Sequence, residues 1–107
     1  MFRVISLKPL REFWEQHPDA ERPLREWYLK ATKADWANLM DVRKTFSVAT
    51  DQVKTDWCMS TVFDIKNNKY RLIVRIRYDW KAITVKHVLT HAQYDRNQWK
   101  RGGTCQH

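Results

Sequence analysis

Glycine and proline are scarce, with two and three in 107 residues. That leaves little room for long flexible linkers. It also excludes a phosphate-cradling glycine loop and the glycine-flanked nucleophile elbow of Ser-His-Asp hydrolases. Cysteine is equally rare: Cys58 and Cys105 stand far apart, with no CxxC pairing. Such spacing argues against a disulfide framework and fits a reducing cytosol. No apolar run approaches the roughly 18–20 residues of a membrane span. The opening Met1-Phe2-Arg3-Val4-Ile5-Ser6-Leu7 is too short, and too polar onward, for a secretory signal. Acid, finally, is missing from one region. Residues 66–107 carry ten basic side chains against Asp79 and Asp95 alone, a net of +8, whereas residues 1–65 carry ten of each sign.

What is present is a globular composition, 43% hydrophobic and 30% charged. One domain is expected at this length, able to bury roughly 60–70% of its unfolded surface. Six tryptophans are many for 107 residues. They serve either as core anchors or as stacking surfaces for bases. A concentrated positive field points to a polyphosphate partner.

The pattern predicts α+β. Phe2 to Leu7 reads as a short strand. Pro9 suits the first turn of a helix, and Leu10, Phe13, Trp14 and His17 follow as one helical stripe. Pro18 ends it. Asp19 is positioned to cap a second helix, with Leu24, Trp27, Tyr28 and Ala31 repeating the spacing. Asn38 and Asp41 suggest a capping pair for a short helix through Phe46, and residues 47–56 read as a loop. The period then becomes two. Met59, Thr61, Phe63 and Ile65 share a strand face, and Asn67-Asn68 marks a hairpin turn. Tyr70, Leu72, Val74, Ile76 and Tyr78 alternate with Arg71, Ile73, Arg75 and Arg77. Asp79-Trp80-Lys81 turns into a fourth strand, Ala82 to Leu89, and a short helix over roughly His91 to Lys100 closes the chain.

A strand buried on one side sends its alternate residues to water. Arg71, Arg75 and Arg77 therefore share one face, at about 7 Å for each step of two residues, offering planar forks to phosphate oxygens. Two acids cannot neutralise ten cations, so this row is expected to meet phosphate. On the next strand Lys86 is expected to continue the cationic face, with His87 pointing inward or to the rim. His91, Tyr94 and Asp95 lie three and four residues apart, on one side of a helical turn. Asp95 either orients a protonated His91 imidazole, or caps, or pairs with Arg96 or Lys86. Tyr94 donates a proton, stacks on a base, or packs. His87 and His91 have zinc-like spacing, but His87 belongs to a strand and no Cys or carboxylate completes a site, so no metal is expected.

Several of these segments resemble the HigB family of bacterial type II toxins. They are Asn68-Lys69-Tyr70-Arg71-Leu72-Ile73, Val85-Lys86-His87-Val88-Leu89-Thr90-His91 and Tyr94-Asp95, with support from Phe2 to Trp14 and Val62-Phe63-Asp64-Ile65. The likeness covers roughly residues 1–100 as a single toxin domain, and 101–107 form a C-terminal extension. It implies a RelE-like fold, an antiparallel sheet of about four strands packed against two N-terminal helices. It implies a cytoplasmic mRNA interferase that cuts messenger RNA on the ribosome without metal or other cofactor. A helix-turn-helix antitoxin of the HigA type would neutralise it. The resemblance favours Arg71, Lys86, His91, Tyr94 and Asp95 as site residues, and the arginine row adds Arg75. Lys69, Arg77, Arg96 and Lys100 are the expected RNA contacts. Two alternatives share the surface: a ParE-like toxin that poisons DNA gyrase without cutting RNA, and a non-catalytic RNA-binding module.

Overall fold

A computed structural model describes residues 1–47, 50–56 and 58–101. The elements run β1 (Arg3–Ile5), α1 (Lys8–Gln16), a 3₁₀ turn (Pro18–Ala20), α2 (Glu21–Lys33), α3 (Leu39–Thr45), β2 (Asp51–Thr55), β3 (Cys58–Ile65), β4 (Tyr70–Arg77), β5 (Ala82–Thr90), α4 (His91–Asp95) and a 3₁₀ turn (Gln98–Lys100). One sheet results, in the order β1-β5-β4-β3-β2.

The two long helices carry the stripes read from the sequence. Leu10 of α1 and Leu24, Trp27 and Ala31 of α2 are buried against the sheet. They meet Phe63, Leu72, Val74, Ile83, Val85 and Val88 in the main core. Each large apolar side chain buried there contributes roughly 1.5–3 kcal/mol. The Arg25 guanidinium sits 4.7 Å from the Trp14 ring centroid and ties the helices together on their outer side. Asn38 caps α3, its side chain accepting the Asp41 N–H.

Several details depart from the expectations. The sheet has five strands, because residues 51–55 pair with β3 rather than looping. Only Val53 there is a sizeable apolar residue, so the strand carries little hydrophobic signature. The sheet is also mixed: β1 runs parallel to β5, Arg3 opposite Ala82 and Ile5 opposite Thr84. Asp19 does not cap α2, whose N-cap is Ala20 with no side-chain bond. Its carboxylate instead reaches Lys69, Lys66 and the Tyr70 hydroxyl at 2.7, 3.2 and 2.7 Å. The β3–β4 turn matches the Asn-Asn signal, with Lys66, Asn67 and Asn68 all at positive φ. The C-terminal helix is shorter than expected. It stops at Asp95, and Asn97 takes a left-handed φ of 61° before a single 3₁₀ turn. The extension beyond Arg101, with Cys105, lies outside the described residues, as do Trp57 and the Cys58 side chain.

Candidate active site

The site grows from the hairpin β3–β4 and from a bulge in β5. Counting back through the turn sets Ile65 opposite Tyr70 and Asp64 opposite Arg71. An acid and a base directly across a ladder attract, and the Arg71 guanidinium bonds both the Asp64 carboxylate and the Asn68 side-chain oxygen. Its charge is thus anchored by an acid from the neutral half of the chain. The same holds for Lys66 and Lys69 with Asp19. Counting acids only within residues 66–107 misses these partners.

The face that carries the arginines is not simply bathed in water. Ile73, lying between Arg71 and Arg75, packs with Val62 and Trp99 in a second small core, flanked by Val53, Leu89 and Tyr94. The 3₁₀ turn lays Trp99 across the sheet, and the indole N–H donates to the Tyr94 carbonyl at 3.0 Å. Tyr94 stacks on Trp99, centroids 5.2 Å apart and planes within 19°. Its other neighbour is Arg71, whose guanidinium carbon lies 5.2 Å from the phenol ring centroid. Burial raises the Tyr94 hydroxyl above the usual phenol value, while the Arg71 cation works against the rise. The phenol therefore stays protonated at neutral pH and is a donor.

Helix α4 begins where β5 ends. Thr90 closes a capping box, its hydroxyl accepting the Gln93 N–H while the Gln93 side chain accepts the Thr90 N–H. That box fixes the first turn and so aims His91. The His91 Nδ1 meets Asp95 Oδ2 at 3.0 Å, with both side chains more than half exposed. Of the partners open to Asp95, His91 is the one it meets among the described residues.

The bulge decides the rest. Ile73 pairs with His87 but Val74 pairs with Val85, so Lys86 is an extra residue in β5. Past it the parity flips. Val88 faces the main core, and His87 shares the face of Ile73 between Arg71 and Arg75. Of the two expected places, inward or at the rim, His87 takes the second: it shares the Ile73 face and lines the cleft at the edge of β5. Burial first, and the Lys86 cation second, hold its imidazole below the usual pKa. Lys86 is exposed beside a cleft of about 300 Å³ between α1 and the free edge of β5, lined also by Glu12, His17, His87, Leu89 and Gln93.

The expected residues thus fall into groups. Arg71 meets Tyr94 where β4 meets α4, and the His91–Asp95 pair lies on the same short helix; His87 is one same-face step along the ladder, opposite Ile73, Arg75 is two steps along, and Lys86 is at the rim. Arg77 sits at the far end of β4, doubly bonded to Asp79. Lys69 is engaged by Asp19. Arg96 is exposed at the end of α4, and the Lys100 ammonium lies 5.4 Å over the Trp99 ring. Sequence reasoning missed Asp64, Asn68 and Trp99. Only Asp64 and Asn68 were within reach of it, by pairing strands through the turn. Among the described residues no three His, Cys, Asp or Glu side chains cluster so as to hold a metal ion. No helix among them is long and apolar enough to cross a membrane.

Two helices on one face of the sheet, a hairpin of cationic strands, and an imidazole–carboxylate pair beyond the last strand define a RelE-like α+β protein. Comparison with known proteins narrows the class. A family model described as HigB_toxin, the RelE-like toxic component of a toxin-antitoxin system, matches residues 20–97, and the chain belongs to that family. It is also 27% identical over 94 residues to a protein of Escherichia coli named mRNA interferase HigB, across 87% of this chain and 88% of that one.

Proposed function

We propose that this toxin is an endoribonuclease that cuts messenger RNA on the ribosome, in the cytoplasm, without a metal ion. The convergence of Arg71, Tyr94 and the His91–Asp95 pair at one end of a cationic sheet face carries the reading. Kinship with a protein named mRNA interferase supports it. A ribose 2′-hydroxyl attacks the adjacent phosphorus, and the bond from phosphorus to the 5′-oxygen breaks. The products are a 2′,3′-cyclic phosphate and a 5′-hydroxyl. His91 takes the proton from the 2′-hydroxyl, with Asp95 orienting the ring and stabilising its charge. Tyr94 gives its proton to the departing 5′-oxygen. Arg71, Arg75 and Lys86 stabilise the negative charge that builds on the phosphate, the largest contribution expected in such a site. Arg96 and Lys100 hold flanking phosphates without reading sequence.

A cognate antitoxin of the HigA helix-turn-helix type is the proposed partner. The even balance of residues 1–65 against the +8 of residues 66–107 gives an acidic surface one clear place to dock. Such docking would be steered by charge and weakened by salt.

The test is to add the purified protein to translating ribosomes carrying end-labelled mRNA. Fragments ending in 2′,3′-cyclic phosphate and 5′-hydroxyl, lost in His91→Ala and Arg71→Ala, support the mechanism. Fragments with 5′-phosphate ends would refute attack by the 2′-hydroxyl. Intact mRNA beside trapped gyrase–DNA complexes would move the chain to the ParE-like reading.

A further inference from the structure

At the tip of the β4–β5 turn a tryptophan stands in the open. Trp80 is 67% exposed, whereas Trp27, Trp36 and Trp99 are 2, 4 and 6% exposed. A lone exposed apolar side chain is ordinary on a protein surface. This one is held in place. The Arg77 guanidinium carbon lies 4.2 Å over the indole centroid. Arg77 is itself fixed by two bonds to Asp79, of 3.2 and 3.0 Å, and the Asp79 carboxylate also accepts the Trp80 backbone N–H at 3.1 Å. On the other side of the turn Lys81 adopts a φ of 51° and pairs with Asp35 at 2.8 Å. The indole thus has one face covered by a cation and most of the remainder open.

The position is as telling as the geometry. Arg77 shares strand parity with Arg71 and Arg75, so its guanidinium draws Trp80 toward the cationic face. Six residues of strand separate Arg71 from Arg77, about 20 Å. That span accommodates several nucleotides of extended single strand. Asp79 already engages the Arg77 fork, so phosphate binding is not what this end of the row offers. What it offers is an aromatic plane, polarised by a cation on its back, and bases stack on such planes whatever their sequence.

We infer that Trp80 is a stacking platform for a nucleobase of the messenger strand, several nucleotides from the scissile phosphate, and that Arg77 and Asp79 are the positioning residues that hold it. The inference rests on the nuclease reading above. It replaces direct phosphate contact as the role of Arg77.

Cleavage kinetics on translating ribosomes test it, comparing the unaltered protein with Trp80→Ala, Trp80→Tyr and Arg77→Lys. Stacking on an aromatic side chain corresponds to a loss of roughly 5- to 150-fold on truncation to alanine. Trp80→Ala should therefore raise KM by about that factor, with kcat and the thermal unfolding midpoint nearly unchanged. Trp80→Tyr should recover most of the affinity. Arg77→Lys should raise KM by less than Trp80→Ala does. An unaltered protein that leaves mRNA whole overturns the nuclease reading itself. An active protein whose Trp80→Ala variant keeps its KM overturns the platform alone. So does a Trp80→Ala variant that keeps its KM but loses affinity for the antitoxin, because the indole then belongs to a protein interface.

Discussion

His91 Nδ1 and Asp95 Oδ2 face each other across one turn of α4, 3.0 Å apart. The capping box at Thr90 fixes that turn, and the bond fixes the ring. With Nδ1 so engaged, Nε2 is the ring nitrogen left to take or give a proton. Removing His91 as alanine should slow mRNA cleavage by about 10²–10⁴, the usual contribution of one acid–base group. Asp95→Asn should cost less, because the ring remains and only its orientation and charge partner are lost. Single-turnover cleavage rates of the two variants check the order. Equal losses would mean that the carboxylate takes part directly.

Arg71 is asked to do two things, and substitution can separate them. It meets the Asp64 carboxylate and the Asn68 side chain, and it lies against the Tyr94 ring. Arg71→Lys keeps the charge but loses the planar fork. Arg71→Ala loses both and strands Asp64. Cleavage should fall by about 10²–10³ for alanine and by an intermediate factor for lysine. Growth-arrest assays beside cleavage rates are the measurement.

His87 makes stability depend on mildly acidic pH. Burial and Lys86 hold its folded-state pKa below the unfolded one. Fewer protons are then bound in the folded state than in the unfolded state as the pH drops below about 6.5. Its contribution is therefore fully present above that pH and is lost as the pH falls through the depressed folded value. The unfolding midpoint should decline faster between neutral and mildly acidic pH in the unaltered protein than in His87→Gln. Parallel curves would show that His87 titrates alike in both states.

Trp99 couples stability to the site. It roofs Val62 and Ile73 and supports Tyr94 from below. Trp99→Ala should cost about 3–5 kcal/mol, the range for large aromatic truncations. Leu24→Ala, deep under α2 and far from Tyr94, should cost about 2–5 kcal/mol. At a temperature where both variants remain folded, only the tryptophan variant should also lose cleavage. Calorimetry paired with activity makes the comparison.

Much of this was legible in the residues. Helical stripes, the Asn67-Asn68 turn and the alternation of β4 need only local periodicity, and each is found in place. The His91 and Asp95 spacing also put two groups within reach across one helical turn, and their contact is formed. What escaped was non-local. The Asp51–Thr55 strand has no hydrophobic signature, because its pairing with β3 supplies the stabilisation. The bulge at Lys86 follows no composition rule, yet it alone turns His87 to the arginine face. Trp99 could be assigned to a core, but not to a second one on the opposite side of the sheet. Asp19 looked like a cap because capping is a local habit, and a lysine fifty residues later in the chain claims it instead.

Strand β1 lies parallel against residues 82–84 of β5, near the other end of the sequence. β1 therefore has no ladder partner until the chain has been made past Ala82. Before that moment the sheet has no completed edge at β5, and α1 hangs from an unpaired leader. The sheet is thus completed late, since its parallel edge joins the most distant strands in the fold and can close only after the hairpins between them exist.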